Sequence, residues 1–174
     1  MQDKKTMKKI TIVQSSLRKG SHTEIVCREF ETKAKNVWLE VNYINLLDIE
    51  LEFCNWKDLS EYTPDLQESY KLLEESDSII FWMPVYQYTM SGVLKNFIDI
   101  CGWALKWKKI WVIVNAWWPN CYMASRDLFD ALYYEYATTN IAPTPYSWSM
   151  DFADWKLVNT KVLDKLDELV KNIK

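Results

Sequence analysis

The sequence predicts an α/β fold in which one parallel sheet lies between two layers of helices, and three observations predict it. Short β-branched runs alternate with longer amphipathic stretches along the whole chain. The segments between them are polar and rich in turn formers. A chain of 174 residues, about half of them apolar, can fill one good core.

The elements follow in order. Lys9 to Gln14 is a β-branched run ending at Ser15-Ser16, and Ser21 to Lys35 then shows helical spacing, with Ile25, Val26, Phe30 and Ala34 apolar. Leu39 to Ile44 reads as a second strand. A polar stretch from Asp48 to Thr63 leads to Pro64-Asp65, which opens a helix through Glu75 with an acidic first turn. Ser78 to Met83 is a third strand and Ser91 to Lys106 a helix. Lys109 to Asn115 is a fourth strand, Tyr122 to Tyr136 a long helix, Ile141 to Met150 a weaker strand, and Val158 to Asn172 the last helix. Five βα units with right-handed crossovers suit the strand order 2-1-3-4-5. In such a sheet the ligand sits beyond the carboxyl ends of the strands, near the point where strand order reverses. The loops after strands 1, 3 and 4 are therefore the candidate site. No repeat, low-complexity segment or linker divides the chain, so residues 1–174 read as one domain, with 1–7 a flexible tail and Lys4 to Lys9 solvated.

Composition excludes several classes of function. A formal charge of -3 argues against nucleic acid or an anionic membrane as the main partner. No apolar run reaches the length of a membrane span, and no signal-peptide segment precedes the first strand, so a cytoplasmic protein is expected. Cys27, Cys54, Cys101 and Cys121 form no CxxC pair, which argues against a zinc site or a dithiol motif. His22, the only histidine, has no metal-ligand neighbour at suitable spacing.

Ser15-Ser16-Leu17-Arg18-Lys19-Gly20-Ser21-His22-Thr23 is rich in hydroxyls, carries a permanent cation at Arg18 and runs straight into a helix N-terminus. Hydroxyl donors, first-turn N–H groups and a guanidinium together suit a phosphate monoester. The plainer reading is that Ser21 or Thr23 caps the helix and Arg18 is solvated. After strand 3 comes Pro84-Val85-Tyr86-Gln87-Tyr88, followed by Gly92-Val93-Leu94-Lys95-Asn96 and Ile98-Asp99.

Together these two segments resemble the NAD(P)H-dependent FMN reductase family. Its members carry Gly-Ser-x-Arg-x-x-Ser, then Pro-x-Tyr, then Gly-x-Leu-Lys-Asn and Ile-Asp, and both signatures occur here in order. The resemblance spans nearly the whole chain. It implies a flavodoxin-like three-layer sandwich that binds FMN and oxidises NAD(P)H, with electrons passing to a flavin, quinone or similar small acceptor, in a homodimer. It further implies that Ser16, Arg18, Ser21 and Thr23 hold the FMN phosphate with His22 beside them, and that Pro84, Val85, Tyr86, Gln87 and Tyr88 run along the isoalloxazine edge. The sequence departs from the family at Ser15, where Gly is usual. Asn96 and Asp99 are expected to fix the loop more than touch the flavin. Asn115, Ala116, Trp117 and Trp118 fall where the family has small residues, so the two indoles either stack on the flavin or obstruct it. The flavin does the redox chemistry, so no catalytic residue is named. The rival readings are an electron shuttle that never meets nicotinamide and a flavin-free scaffold.

Three glycines stand beside ten tryptophans, whereas a soluble chain of this length holds about twelve glycines at the usual share. Asn55-Trp56 and Asp154-Trp155 stand where Asn-Gly and Asp-Gly turns would be natural, and Trp107 stands between a helix end and a strand. Trp82, Trp117 and Trp118 fall in the expected flavin loops, while Trp38, Trp103, Trp111 and Trp148 are undecided. Two readings are open: a natural pocket rich in Trp, or a UGA codon that the source reads as Gly and that stands here as Trp. The second predicts indoles crowding the cofactor site.

Overall fold

A computed structural model describes residues 7–174; the first six residues of the expected tail lie outside the described residues. Five strands, β1 (Lys9–Gln14), β2 (Glu40–Asn45), β3 (Ser78–Pro84), β4 (Lys109–Ala116) and β5 (Thr139–Asn140), form a sheet of order β2-β1-β3-β4-β5. Every pairing in it is parallel. Helices α1 (His22–Asn36), α2 (Pro64–Glu74), α3 (Gly92–Cys101), α4 (Arg126–Tyr136) and α5 (Thr160–Ile173) cover both faces.

Strand alternation divides the core. From β3, Ile79, Phe81 and Met83 join Leu66, Leu73, Phe97, Leu128 and Leu132 on one side. Ile80 and Trp82 join Val26, Phe30, Leu166 and Leu169 on the other. All seven residues of β3 are buried, as a strand covered on both faces must be. The helix starts are capped by local side chains: Ser21 Oγ accepts the Glu24 N–H at 3.1 Å, Ser91 Oγ that of Leu94 at 3.2 Å, and Asn159 Oδ1 that of Lys161 at 2.9 Å. Lys9 opens β1, its ammonium 2.7 Å from the Glu75 carboxylate, and the Lys8 ammonium donates to the Ile173 carbonyl.

Four expectations change, the first being that the helix read over Ser91 to Lys106 ends at Cys101 and passes into a 3-10 turn, Gly102–Leu105. The fifth strand is not one run over 141–150; it is two pieces, β5 and β6 (Tyr146–Trp148), each paired with a different part of β4. Pro143 and Pro145 lie between them, and a residue without an N–H cannot continue a ladder. The helix expected from Tyr122 begins as a 3-10 turn, Tyr122–Ser125, before α4. An antiparallel hairpin of β7 (Phe152–Ala153) and β8 (Lys156–Leu157) was not foreseen.

Gly102 ends α3 under the Tyr136 ring, whose hydroxyl donates to the Ile98 carbonyl at 3.4 Å. A Cβ at 102 would fall on the Tyr136 ring and hydroxyl. Gly102→Ala should lower stability by about 1–3 kcal/mol, the usual range for overpacking, measured as a shift in the urea midpoint at unchanged slope.

Candidate functional site

β1 lies between β2 and β3, so the chain leaves β1 toward one side of the sheet and β3 toward the other. The crevice this opens beyond the strand ends holds a cavity of about 370 Å³. Its walls are Ser16, Arg18, Ser21, His22, Thr23, Pro84, Val85, Tyr86, Asn115, Ala116, Trp117 and Trp155. A second cavity of about 530 Å³ adjoins it through Val85, Tyr86, Ala116 and Trp117, and adds Gln87, Tyr88, Trp118 and Cys121. Each of the fourteen residues expected at the phosphate, the isoalloxazine edge and the loop after the fourth strand thus lines one of two contiguous cavities.

The loop after β1 is held from beneath. Ser15 donates its N–H at 3.2 Å and its hydroxyl at 2.7 Å to the Trp82 carbonyl, so the departure from Gly is absorbed by a hydroxyl that ties the loop to β3. The Gln14 amide donates to the Asn45 side chain at 2.8 Å and to the Ser16 carbonyl, while the Ser16 N–H donates back to Gln14 Oε1. Gly20, at φ +64°, makes the reversal that aims the chain into α1, and its N–H donates to Glu24. The Thr23 hydroxyl donates to Asn115 Oδ1 at 3.3 Å, and the Asn115 amide donates to Ser147 at 2.9 Å. Asn115 therefore ties α1, β4 and β6 together at the cavity floor. Its own carbonyl accepts the Val85 N–H at 2.9 Å.

The rim is a set of tight turns. Tyr86 and Thr89 exchange backbone hydrogen bonds across Gln87 and Tyr88, both at positive φ. Tyr88 Oη donates to the Asn120 carbonyl at 2.6 Å, and Thr89 to the Asp127 carboxylate at 2.8 Å. Trp117 and Trp118 are mostly exposed, their carbonyls accepting from Ser149 and Tyr146. Trp82 stands apart from this rim: it lies wholly buried within β3, packed on Phe30, and not in a loop. Asn96 fixes the segment before α2, accepting the Cys54 N–H and donating to the Glu52 carbonyl, whereas Asp99 pairs with Lys95 on the surface of α3.

Trp155 is the wall that sequence reasoning missed. Asp154-Trp155 reads as a turn, but nothing local says that the hairpin folds back over α1. It does so because the Asp151 carboxylate accepts the Trp148 N–H at 2.9 Å and the Asn159 amide at 2.6 Å, which turns the chain across the end of the sheet. There Phe152 stacks on His22, ring centroids 4.0 Å apart and nearly parallel.

Among the described residues no carboxylate lines the main cavity, Arg18 supplies a permanent cation, and the hydroxyls of Ser16 and Thr23 flank the N-terminus of α1. That donor set suits a dianionic phosphate. Cys27 and Cys101 are buried away from both cavities, where burial pushes the thiols up, that of Cys101 to about 12. Among the described residues no helix is long and apolar enough to cross a membrane.

A doubly wound sheet with an anion-fitted loop at its switch point defines the class as flavodoxin-like. Comparison with known proteins is narrower. The model of the NADPH-dependent FMN reductase family matches residues 8–147, and the chain belongs to that family. An NAD(P)H-dependent FAD/FMN reductase of Geobacillus thermodenitrificans is 29% identical over 99 residues, covering 55% of this chain and 54% of that one. An NAD(P)H:quinone oxidoreductase of Solanum tuberosum is 28% identical over 110 residues, covering 59% and 53%. The chain spans about half the length of these curated relatives. The flavoenzyme FerB of Paracoccus denitrificans, an NAD(P)H:(acceptor) oxidoreductase, superposes with a TM-score of 0.77 over 96% of this chain and 95% of its own, at 20% identity. That likeness is one of fold.

Burial lowers the His22 pKa below its ordinary 6.5, and the Arg18 charge pushes the same way. The unfolded chain then binds the proton more readily than the folded one. Stability should fall as the pH drops below about 6.5, and His22→Gln should flatten that part of the profile in urea midpoints measured from about pH 5 to 8.

Proposed function

We propose that the chain binds FMN in the main cavity and works as an oxidoreductase, taking electrons from NAD(P)H and passing them to a small acceptor such as a flavin or quinone. The observation that carries this reading is the cavity itself: among the described residues no carboxylate lines it, it is rich in N–H and hydroxyl donors, the exposed Arg18 guanidinium stands at its wall, and it lies at the switch point of a sheet in this family. When bound, FMN supplies the redox chemistry. What the residues supply is position. Ser16, the first-turn N–H groups of α1 and the Arg18 guanidinium hold the phosphate, while the Thr23 hydroxyl, which donates to Asn115, fixes the cavity floor beneath them. Ser21 is engaged in capping, which keeps those N–H groups aligned. His22 is neutral near pH 7 because its pKa is lowered, and its stack on Phe152 closes the phosphate end from the side.

The isoalloxazine edge falls to Pro84, Val85 and Tyr86 on one side and Asn115 and Ala116 on the other, linked by the Val85–Asn115 backbone bond. The second cavity, bounded by Gln87, Tyr88, Trp118 and Cys121, is where nicotinamide and acceptor take turns beside the ring. Tyr88, Tyr122 and Met123 leave an apolar rim there, which supports a homodimer whose partner completes the mouth. The same reading takes the chain as one domain acting in the cytoplasm.

Arg18→Ala should weaken FMN by about 2–3 kcal/mol, the size of a lost charge-assisted contact, and leave riboflavin binding nearly unchanged. Flavin fluorescence titrations with both ligands check this; equal losses would remove the phosphate from Arg18. A bound dianion favours the imidazolium, so FMN should raise the His22 pKa and riboflavin should not. With one histidine in the chain, proton NMR reads this directly. Failure of purified protein to take up FMN or to oxidise NADPH with it would overturn the reading.

A further inference from the structure

The residues at positive φ carry information that composition alone could not. Among the described residues eight non-glycine positions adopt this conformation, and four of them are tryptophans: Trp38 at φ 66°, Trp56 at 60°, Trp107 at 61° and Trp155 at 59°. A bulky side chain there is a genuine outlier, because its Cβ crowds the backbone.

Each of the four occupies a position with its own stereochemical demand. After α1, the Trp38 N–H donates to the Lys35 carbonyl and the Leu39 N–H to that of Ala34. Those two bonds define a Schellman motif whose left-handed residue, here Trp38, is usually glycine. Trp155 is the second residue of the two-residue turn joining β7 to β8, with Asp154 also at positive φ, 46°. Positive φ at both central residues is the type I′ turn, for which Asp-Gly is a preferred pair. Asn55 accepts the Lys57 N–H on its side chain across Trp56, an Asx turn that places the intervening residue in the left-handed region. Trp107 follows the 3-10 turn Gly102–Leu105, and the Lys108 N–H closes back to the Leu105 carbonyl.

Burial does not explain these choices. The four side chains are 64% to 82% exposed. A second signature lies inside the core: the indole N–H groups of Trp82 and Trp111 are buried without a partner, whereas a buried Trp N–H usually finds one.

We propose that positions 38, 56, 107 and 155 are glycines in the protein as its own cell makes it, through a UGA codon read there as glycine, and that positions 117 and 118 at the pocket mouth are glycines by the same decoding. Where Trp155 and Trp117 now line the cavity, glycine leaves the wall to backbone. The cofactor consequence rests on the FMN reading above; the backbone argument does not.

Peptide mass spectrometry on the protein isolated from its native cell should read glycine at 38, 56, 107 and 155, from UGA triplets in the coding DNA. Tryptophan in those peptides, or UGG triplets, would overturn the proposal. Independently, a chain carrying Trp38→Gly, Trp56→Gly, Trp107→Gly and Trp155→Gly should melt roughly 10 °C above the tryptophan form, since four left-handed penalties are removed from a chain of this size. An unchanged or lower midpoint would count against it. Adding Trp117→Gly and Trp118→Gly should tighten FMN binding at least tenfold. If the glycine peptides are found and the midpoint rises, yet neither form binds FMN, the decoding stands and the FMN reading falls.

Discussion

The pairing of β1 with β3 is the constraint on which the rest depends. Both strands are buried on both faces, so their side chains are mostly apolar toward both layers, with Thr11 and Gln14 hydrogen-bonded where they are not, and each wall of helices must be amphipathic to match. Because β1 also pairs with β2 on its other edge, the connections leaving β1 and β3 part company at the same end of the sheet. A crevice is then unavoidable there. Ser15 clamps its base by two bonds to the Trp82 carbonyl, so the hydroxyl-rich loop after β1 is tied directly to the strand that leads into the other wall of the cavity.

The geometry of the pocket follows from that placement. Thr23, Asn115 and Ser147 are far apart in the chain and meet in one line of hydrogen bonds across α1, β4 and β6. Of the first-turn N–H groups of α1, Ser21 satisfies that of Glu24 with its hydroxyl and that of Ile25 with its carbonyl, which leaves those of His22 and Thr23 at the cavity wall. A carboxylate among the walls would repel a phosphate and none is present among the described residues, while Glu24 is turned to the Gly20 N–H.

Much of this was legible in the sequence because periodicity and turn chemistry act locally. The first four strands and all five helices lie where β-branched runs and apolar spacing put them, and the strand order followed from their alternation. The candidate residues could be named as a set because two short signatures fall on two loops that any 2-1-3-4-5 sheet brings together, and they line the two adjoining cavities there. What was not legible is non-local. The split of the last strand is decided by which part of β4 remains unpaired on either side of Pro143 and Pro145. Trp155 reached the site through Asp151, whose buried carboxylate joins Trp148 to Asn159 in a way that no spacing announces. Trp82 was counted with the loop residues although it falls inside the strand read over Ser78 to Met83, and strand alternation points it into the core.

Positive φ alone does not mark a misplaced residue, and the rim of the pocket shows why. Gln87 and Tyr88 are as left-handed as Trp155, yet the turn they make is fixed from several directions. Two backbone bonds join Tyr86 to Thr89, Tyr88 Oη reaches the Asn120 carbonyl, and Thr89 reaches the Asp127 carboxylate. Backbone strain that persists where surrounding contacts over-determine it is the kind found at functional sites, and here the Tyr88 side chain itself makes one of the contacts. The indoles of Trp38 and Trp56 make no hydrogen bond among those described, and both point largely to solvent. Trp107 gains only a lysine ammonium 4.6 Å from its ring, a surface contact of modest strength. The strain at 87 and 88 is held by what the side chains do; at 38, 56 and 107 the backbone conformation is set by the turn, and the indole contributes little to it. That difference separates a rim whose turn its own side chains hold from positions whose geometry asks for no side chain at all.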